Sequence, residues 1–155
     1  MGRLADAAWG WPVAGFAVAL VAVLVAAGAQ AAGATPGVCA VLALMVAATL
    51  TGGLHEDGLA DCADGFFGGR DKARRLEIMK DSSIGSYGAL ALGLVVLLRW
   101  TALVPLIAGG HWGAVLAAGS LSRVPMAALM AGMGNARGGG LSAAVGRPSV
   151  GAAVG

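Results

Sequence analysis

The sequence predicts an all-α protein, a polytopic bundle of transmembrane helices. Three observations carry this. Of 155 residues, 58% are hydrophobic and only 12% are charged, against roughly 25% charged in a soluble domain. The chain holds 27 glycines, and Gly and Ala within apolar runs suit membrane helices, where small residues let backbones approach closely. Its apolar runs also reach the length of about 20 residues that a membrane-crossing helix needs. Mean hydropathy is +0.82.

The first expected span covers 13–34, introduced by Trp9, Trp11 and Pro12, whose indole rings suit the membrane–water interface. It is too long for the apolar region of a cleaved leader, which runs to roughly 15 residues. Thr35-Pro36-Gly37 reads as a turn, and a second span follows over 38–54. A polar segment occupies 55–83. A third span covers 84–98, closed by Arg99-Trp100. The stretch 101–133 reads as one interrupted span or as shorter pieces, with Gly109-Gly110 as the break. From Gly134 the sequence is Gly-rich and reads as a loop. All of this forms one integral membrane domain. Cys39 reads as a small buried hydrophobe, and two cysteines so placed indicate no disulfide framework.

Charge is distributed unevenly. Seven of the eight acids lie between Glu56 and Asp81, and five of the ten bases (Arg70, Lys72, Arg74, Arg75, Lys80) share that segment. By the positive-inside rule 55–83 faces the cytoplasm, and Arg3 agrees with a cytoplasmic start. Nothing points to a nucleic-acid partner; the membrane lipid is the expected surrounding. The Gly-rich helices favour association with a second copy.

Within the polar segment, "HEDGLADCADGFFGG" places Asp57, Asp61 and Asp64 at i, i+4 and i+7. On a helix these fall within about 60° of arc. Like charges on one face repel, so something cationic must offset them. Hard carboxylate oxygens suit Mg²⁺ or Mn²⁺ and not a soft metal, and Mg²⁺ typically takes one or two carboxylates plus substrate phosphates. His55 lies about 160° from Asp57 on the same helix, at its mouth, and Glu56 is also off the Asp face. Gly58 and Gly65 flank the acids without side chains, leaving room for a bulky ligand. An acidic stretch is ordinarily a solvated face, but this one is interleaved with Leu59, Ala60, Ala63, Phe66 and Phe67 beside a membrane, where carboxylates are costly and tend to be functional.

"GGRDKARRLEIMKDSSIGSYG" follows. Asp71 is placed to cap a short amphipathic helix over 73–80, with Leu76, Ile78 and Met79 toward the core. Arg74 and Arg75 are suited to bidentate phosphate contacts, and Lys80 and Asp81 close the segment. These bases otherwise serve only to mark the cytoplasmic side and touch anionic lipid. Acids for a metal followed by bases for a diphosphate describe a phosphoryl-transfer site. An acid such as Asp64 is alternatively a base for an attacking hydroxyl; spacing does not divide these roles.

"GGLHEDGLADCADGFFGG" followed by "RLEIMKDSSIGSYGALAL" resembles the adenosylcobinamide-GDP ribazoletransferase (cobalamin synthase) family. The pattern is long, ungapped and specific. Trp11-Pro12-Val13-Ala14-Gly15, "GSLSRVPMAALM" and "ARGGGLSAAVG" match the family more loosely, so the resemblance runs through nearly the whole chain. It implies a Mg²⁺-dependent enzyme of the cytoplasmic (inner) membrane in which the hydroxyl of α-ribazole, or of its 5′-phosphate, attacks adenosylcobinamide-GDP and releases GMP. The family's motif acids fall on Glu56, Asp57, Asp61, Asp64 and Asp81, and its His on His55. The expected metal set is therefore Glu56, Asp57, Asp61, Asp64 and Asp81, with Asp61, Asp64 and His55 in catalysis. Arg74, Arg75, Lys80, Gly58 and Gly65 are expected on the substrate. Family members are longer at both ends, so this chain is expected to be a truncated member.

Two other enzyme or transport classes share part of the pattern. Membrane phosphotransferases acting on CDP-activated alcohols also use spaced Asp residues on helices, but the second Asp-rich half of their motif is not found here. A divalent-cation transporter would use intramembrane carboxylates, yet here the acids are bunched in one segment. A purely structural membrane subunit predicts that neutralising Asp61 alters stability alone.

Overall fold

The computed structural model describes residues 4–136 and 138–149. Among them there is helix and connection but no strand. A 3-10 helix, Leu4–Gly10, leads into α1 (Trp11–Ala31). Then come α2 (Pro36–Leu50), α3 (Leu54–Gly68), α4 (Lys72–Ile78) and α5 (Ser86–Ala108). They are followed by α6 (Trp112–Leu121), α7 (Val124–Gly132) and α8 (Leu141–Val145). Three stretches are long and apolar enough to cross a membrane, Ala7–Ala31, Ser86–Ala108 and Trp112–Gly132, and the bent pair α2–α3 would make a fourth. The chain is an all-α membrane protein.

Several boundaries differ from those the sequence suggests. The third span does not end at Arg99-Trp100: α5 runs through both and through Pro105 to Ala108. At 23 residues it is about 34 Å long, enough for the roughly 30 Å hydrocarbon core. The break at Gly109-Gly110 is real, with Gly110 at φ +68°. The Gly-rich stretch from Gly134 is not all loop, since α8 lies within it. Arg3, Arg137 and residues 150–155 lie outside the described residues.

The second span also ends early. At 15 residues, α2 rises only about 22 Å, too short to cross alone. Thr51 closes it: its hydroxyl donates to the Ala47 carbonyl at 2.9 Å, and the Gly53 N–H reaches back to the Ala48 carbonyl at 2.8 Å. Gly52 and Gly53 sit at φ +63° and +67°, a conformation that costs a residue with a Cβ roughly 1–2 kcal/mol. These two residues turn the chain by 87° into α3. The acidic stretch is therefore a second helix set across the first, and not an open loop.

The chain divides into two compact units, the described residues up to Val23 with those from Trp112 onward, and Leu24–His111. In the second unit α3 packs most extensively on α5, with α2 also on α5 and α4 on α3. The Trp100 indole N–H donates to the Gly37 carbonyl at 3.0 Å, fixing the start of α2 to the middle of α5. The Gln30 amide donates to the Ile107 carbonyl at 3.4 Å. The buried side chains are mostly small, among them Cys39, Ala40, Ala43 and Ala60. Leu90, Leu94, Leu97 and Leu98 of α5 are exposed, as expected of a surface that faces lipid.

In the first unit α6 meets the N-terminal half of α1 through small residues. A Cβ on Gly119 would run into the Ala19 methyl, and one on Gly15 would meet the Gly119 carbonyl. The Ser120 hydroxyl donates to the Pro12 carbonyl at 3.0 Å across the same crossing. Gly119→Leu is expected to cost about 1–3 kcal/mol by overpacking and to lower the unfolding midpoint in detergent. Gly113→Ala on the same helix, where a Cβ meets nothing, should leave it unchanged.

Candidate active site

The site is built on α3. Its first turn holds Glu56 and Asp57, where carboxylates are favoured by the positive end of the helix dipole. The turn closes through the Asp57 N–H to the Gly53 carbonyl at 2.8 Å, so the two left-handed glycines also set where the acidic helix starts. Helical geometry then puts Asp57 and Asp61 one turn apart on one face. Asp57 is exposed and Asp61 half-buried. Between them a Cβ on Gly58 would meet nothing within 4 Å, which is the open approach the sequence suggests. His55 is exposed at the helix mouth.

Asp64 is placed differently from its neighbours. It is the one charged side chain buried among the described residues, 9% exposed. Its Oδ2 accepts the Gly85 N–H at 2.7 Å and its Oδ1 the Gly88 N–H at 2.8 Å. Gly85 is the N-cap of α5 and Gly88 its third residue, so Asp64 caps α5 from another helix. It satisfies two of the four amides that a helix start leaves unpaired. A side chain on Gly88 would collide with this carboxylate. Both oxygens of Asp64 are thus occupied in holding α5 against α3.

Glu56 is engaged as well. Its Oε1 accepts from Arg99 of α5 at 2.9 Å, while its Oε2 is buried without a hydrogen bond. Sequence reading took Arg99 for the end of a span. The signal that identifies it is its isolation: a single cation within a membrane-length helix is expensive unless paired, and Glu56 pairs it. Among the described residues no three His, Cys, Asp or Glu side chains converge as a metal-binding group. The expected five-acid set is thereby divided. Glu56 and Asp64 hold α5, Asp81 lies beyond α4, and Asp57 with Asp61 remain as the adjacent pair.

The basic segment forms α4, capped by Asp71, whose carboxylate accepts the Arg74 N–H at 2.9 Å. The helix spans Lys72–Ile78, shorter than the 73–80 expected at its C-terminal end. Gly65 does not leave space for a ligand: α4 fills it, with the Met79 side chain and the Arg75 carbonyl where a Cβ would go. Ile78 comes near Gly68 too, but at 3.4 Å from where a Cβ would stand it is in ordinary contact. Arg75 is tied to the turn, its Nε donating to the Gly69 carbonyl at 2.9 Å and its guanidinium lying 5.0 Å from the centre of the Phe66 ring. Arg74 pairs with Glu77 at 2.7 Å on the exposed face, a contact that adds little in water; it holds the guanidinium's proton more tightly still. Lys80 and Asp81 are exposed. Phe66 meets Phe67 edge to face and Phe67 meets Tyr87 at a tilt, each at 5.3 Å between centroids, joining the end of α3 to the start of α5. The apolar groove lined by Gly37, Val38, Val41, Leu42 and Trp100 shares no residue with this site.

Two outcomes follow from this geometry. Asp64→Ala strands the Gly85 and Gly88 amides and is expected to cost about 1–3 kcal/mol; Asp64→Asn keeps an acceptor and should lose less. Amide exchange at 85–88 reads the difference. The Ser83 N–H donates to the Asp81 carboxylate at 3.0 Å and holds its pKa below the usual 3.8. A depressed carboxylate stabilises the fold above the unfolded value, so this contribution is present above pH 3.8 and is lost as pH falls through the folded value. An NMR titration should show Asp81 titrating low, and Asp81→Asn should remove the pH dependence of Ser83 amide protection.

The chain matches the family model described as Cobalamin-5-phosphate synthase over residues 1–154. It is 45% identical over 152 residues to a protein from Mesorhizobium japonicum, covering 97% of this chain and 59% of that one. It is 49% identical over 150 residues to one from Azorhizobium caulinodans, covering 95% and 57%. A protein from Chlorobaculum parvum is 44% identical over 135 residues, covering 87% and 53%. All three are named adenosylcobinamide-GDP ribazoletransferase. The chain therefore spans little more than half the length of these curated relatives. No solved structure matches it.

Proposed function

Because this chain belongs to the cobalamin-5-phosphate synthase family, we propose that it carries the acidic half of an adenosylcobinamide-GDP ribazoletransferase site. The substrates in this reading are adenosylcobinamide-GDP and α-ribazole or its 5′-phosphate. A hydroxyl oxygen of the riboside bonds to the phosphorus esterified to cobinamide, the bridge to the second phosphorus breaks, and GMP carries away the bridging oxygen. The single observation that supports this most is the pair Asp57 and Asp61 on one face of α3, with open space at Gly58 between them.

The donor set fits Mg²⁺ in one particular way. Two adjacent hard carboxylates without a third converging ligand do not make an all-protein cage. They suit an ion whose shell is completed by substrate phosphates and water. We assign Asp57 and Asp61 to hold it. When bound, the ion would neutralise charge on the diphosphate. The hydroxyl proton needs a local acceptor, and we place it on Asp61, half-buried beside the open face at Gly58, through the carboxylate oxygen that does not hold the ion. His55 at the helix mouth is the second candidate. Arg99 and Asp64 act as positioning residues that keep α3 on α5. Arg74, exposed on α4, and Lys80, exposed just beyond it, are offered to substrate phosphates. The concentration of bases over 70–80 supports a cytoplasmic face for this segment, in the inner membrane.

The test is GMP release from adenosylcobinamide-GDP and α-ribazole by the detergent-purified protein, with Mg²⁺ and with EDTA. GMP is expected only with Mg²⁺, and Asp61→Asn should lower the rate by at least about 100-fold, as loss of a general base does. GMP release that persists in EDTA, or in Asp61→Asn at the normal rate, overturns the assignment.

A further inference from the structure

The α6–α7 stretch Trp112–Gly132 is one of the membrane-length apolar segments, with mean hydropathy 1.5. Near its midpoint stands Arg123, half-buried. Its Cγ lies where a side chain on Gly15 would go, so the stem is packed into the α1–α6 crossing. Arg74, Arg75, Arg99 and Arg147 each donate to an oxygen. No described residue accepts a hydrogen bond from the Arg123 guanidinium or pairs with it. Its own unit has little to offer: no acid occurs in the sequence after Asp81, and Asp6 is the one acid before Val23.

The backbone at this point adds to the positive charge. The α-helical ladder slackens between Leu121 and Val124, where the Arg123 N–H bonds three residues back to Ser120 at 3.3 Å. Helix α7 then begins with Arg123 as its N-cap residue and Pro in its first turn, so the Arg123 backbone stands at the positive end of that helix. A guanidinium kept in an apolar segment tends to serve function, and its planar fork of donors matches the oxygens of a phosphate.

We propose that Arg123, at the α6–α7 break, binds a phosphate group. The occupant proposed is a soluble phosphate or diphosphate, and the site does not depend on the transferase reading above. A phospholipid headgroup offers the same chemistry, and the experiment separates the two.

Pyrophosphate is titrated calorimetrically into the protein in maltoside micelles with EDTA, so that neither divalent metal nor turnover is involved. Arg123→Gln is expected to weaken binding by about tenfold or more, and Arg123→Lys, which keeps the charge but not the fork, by less. Binding unchanged by phosphatidylglycerol in the micelles marks a soluble phosphate as the occupant; binding displaced by it marks the headgroup. Wild-type protein is also labelled with phenylglyoxal, and pyrophosphate should protect Arg123 but not Arg70, a readout that needs no variant to fold. Pyrophosphate that neither protects Arg123 nor distinguishes Arg123→Gln from wild type overturns the proposal. Loss of GMP release with intact pyrophosphate binding would count against the transferase reading and leave this site standing.

Discussion

The carboxylate of Asp64, received by two amides at the start of α5, is the contact on which the rest of the acidic helix depends. A charged group buried beside a lipid-facing helix must be satisfied or it opposes folding. Here one residue resolves two problems, its own charge and the unpaired amides of a helix start. Glu56 and Arg99 repeat the arrangement near the other end of α3, so two contacts from acidic residues fix its length along α5. Asp57 and Asp61 lie between them on the helix whose position those contacts fix.

This division of labour explains a run of acids that chemistry alone does not need. On the function proposed above, a magnesium ion shared with a diphosphate would need one or two protein carboxylates, not five. The remaining acids on α3 build the platform that presents the two. Glycine is divided in the same manner. Gly58 leaves an open face, Gly65 and Gly68 let α4 lie close, and Gly52 with Gly53 turn the chain.

Much of this was legible in the sequence. Composition gave the membrane class, the i, i+4, i+7 spacing gave the acidic helix, Asp71 announced the cap of α4, and Gly109-Gly110 marked a break. What was not legible depends on distance along the chain. The partners of Asp64 lie 21 and 24 residues away and that of Glu56 lies 43 away. Periodicity reports one element at a time and cannot assign a carboxylate to another helix's amides. Arg99 was misread for a related reason, because hydropathy counts a charge as the end of a span whether or not a partner awaits it. The turn at Gly52-Gly53 was hidden inside a stretch whose apolar character continues through it.

Those separations also order events during synthesis. At roughly 5–20 residues per second, Arg99 leaves the ribosome about 2–9 s after Glu56. Until then α3 has emerged with its carboxylates but without the helix that shelters them, and α2 is too short to hold a place across the bilayer alone. Until α5 arrives, neither the Glu56–Arg99 pair nor the contacts of Asp64 with the Gly85 and Gly88 amides can form. The four carboxylates of α3 make its entry into lipid costly before those partners exist.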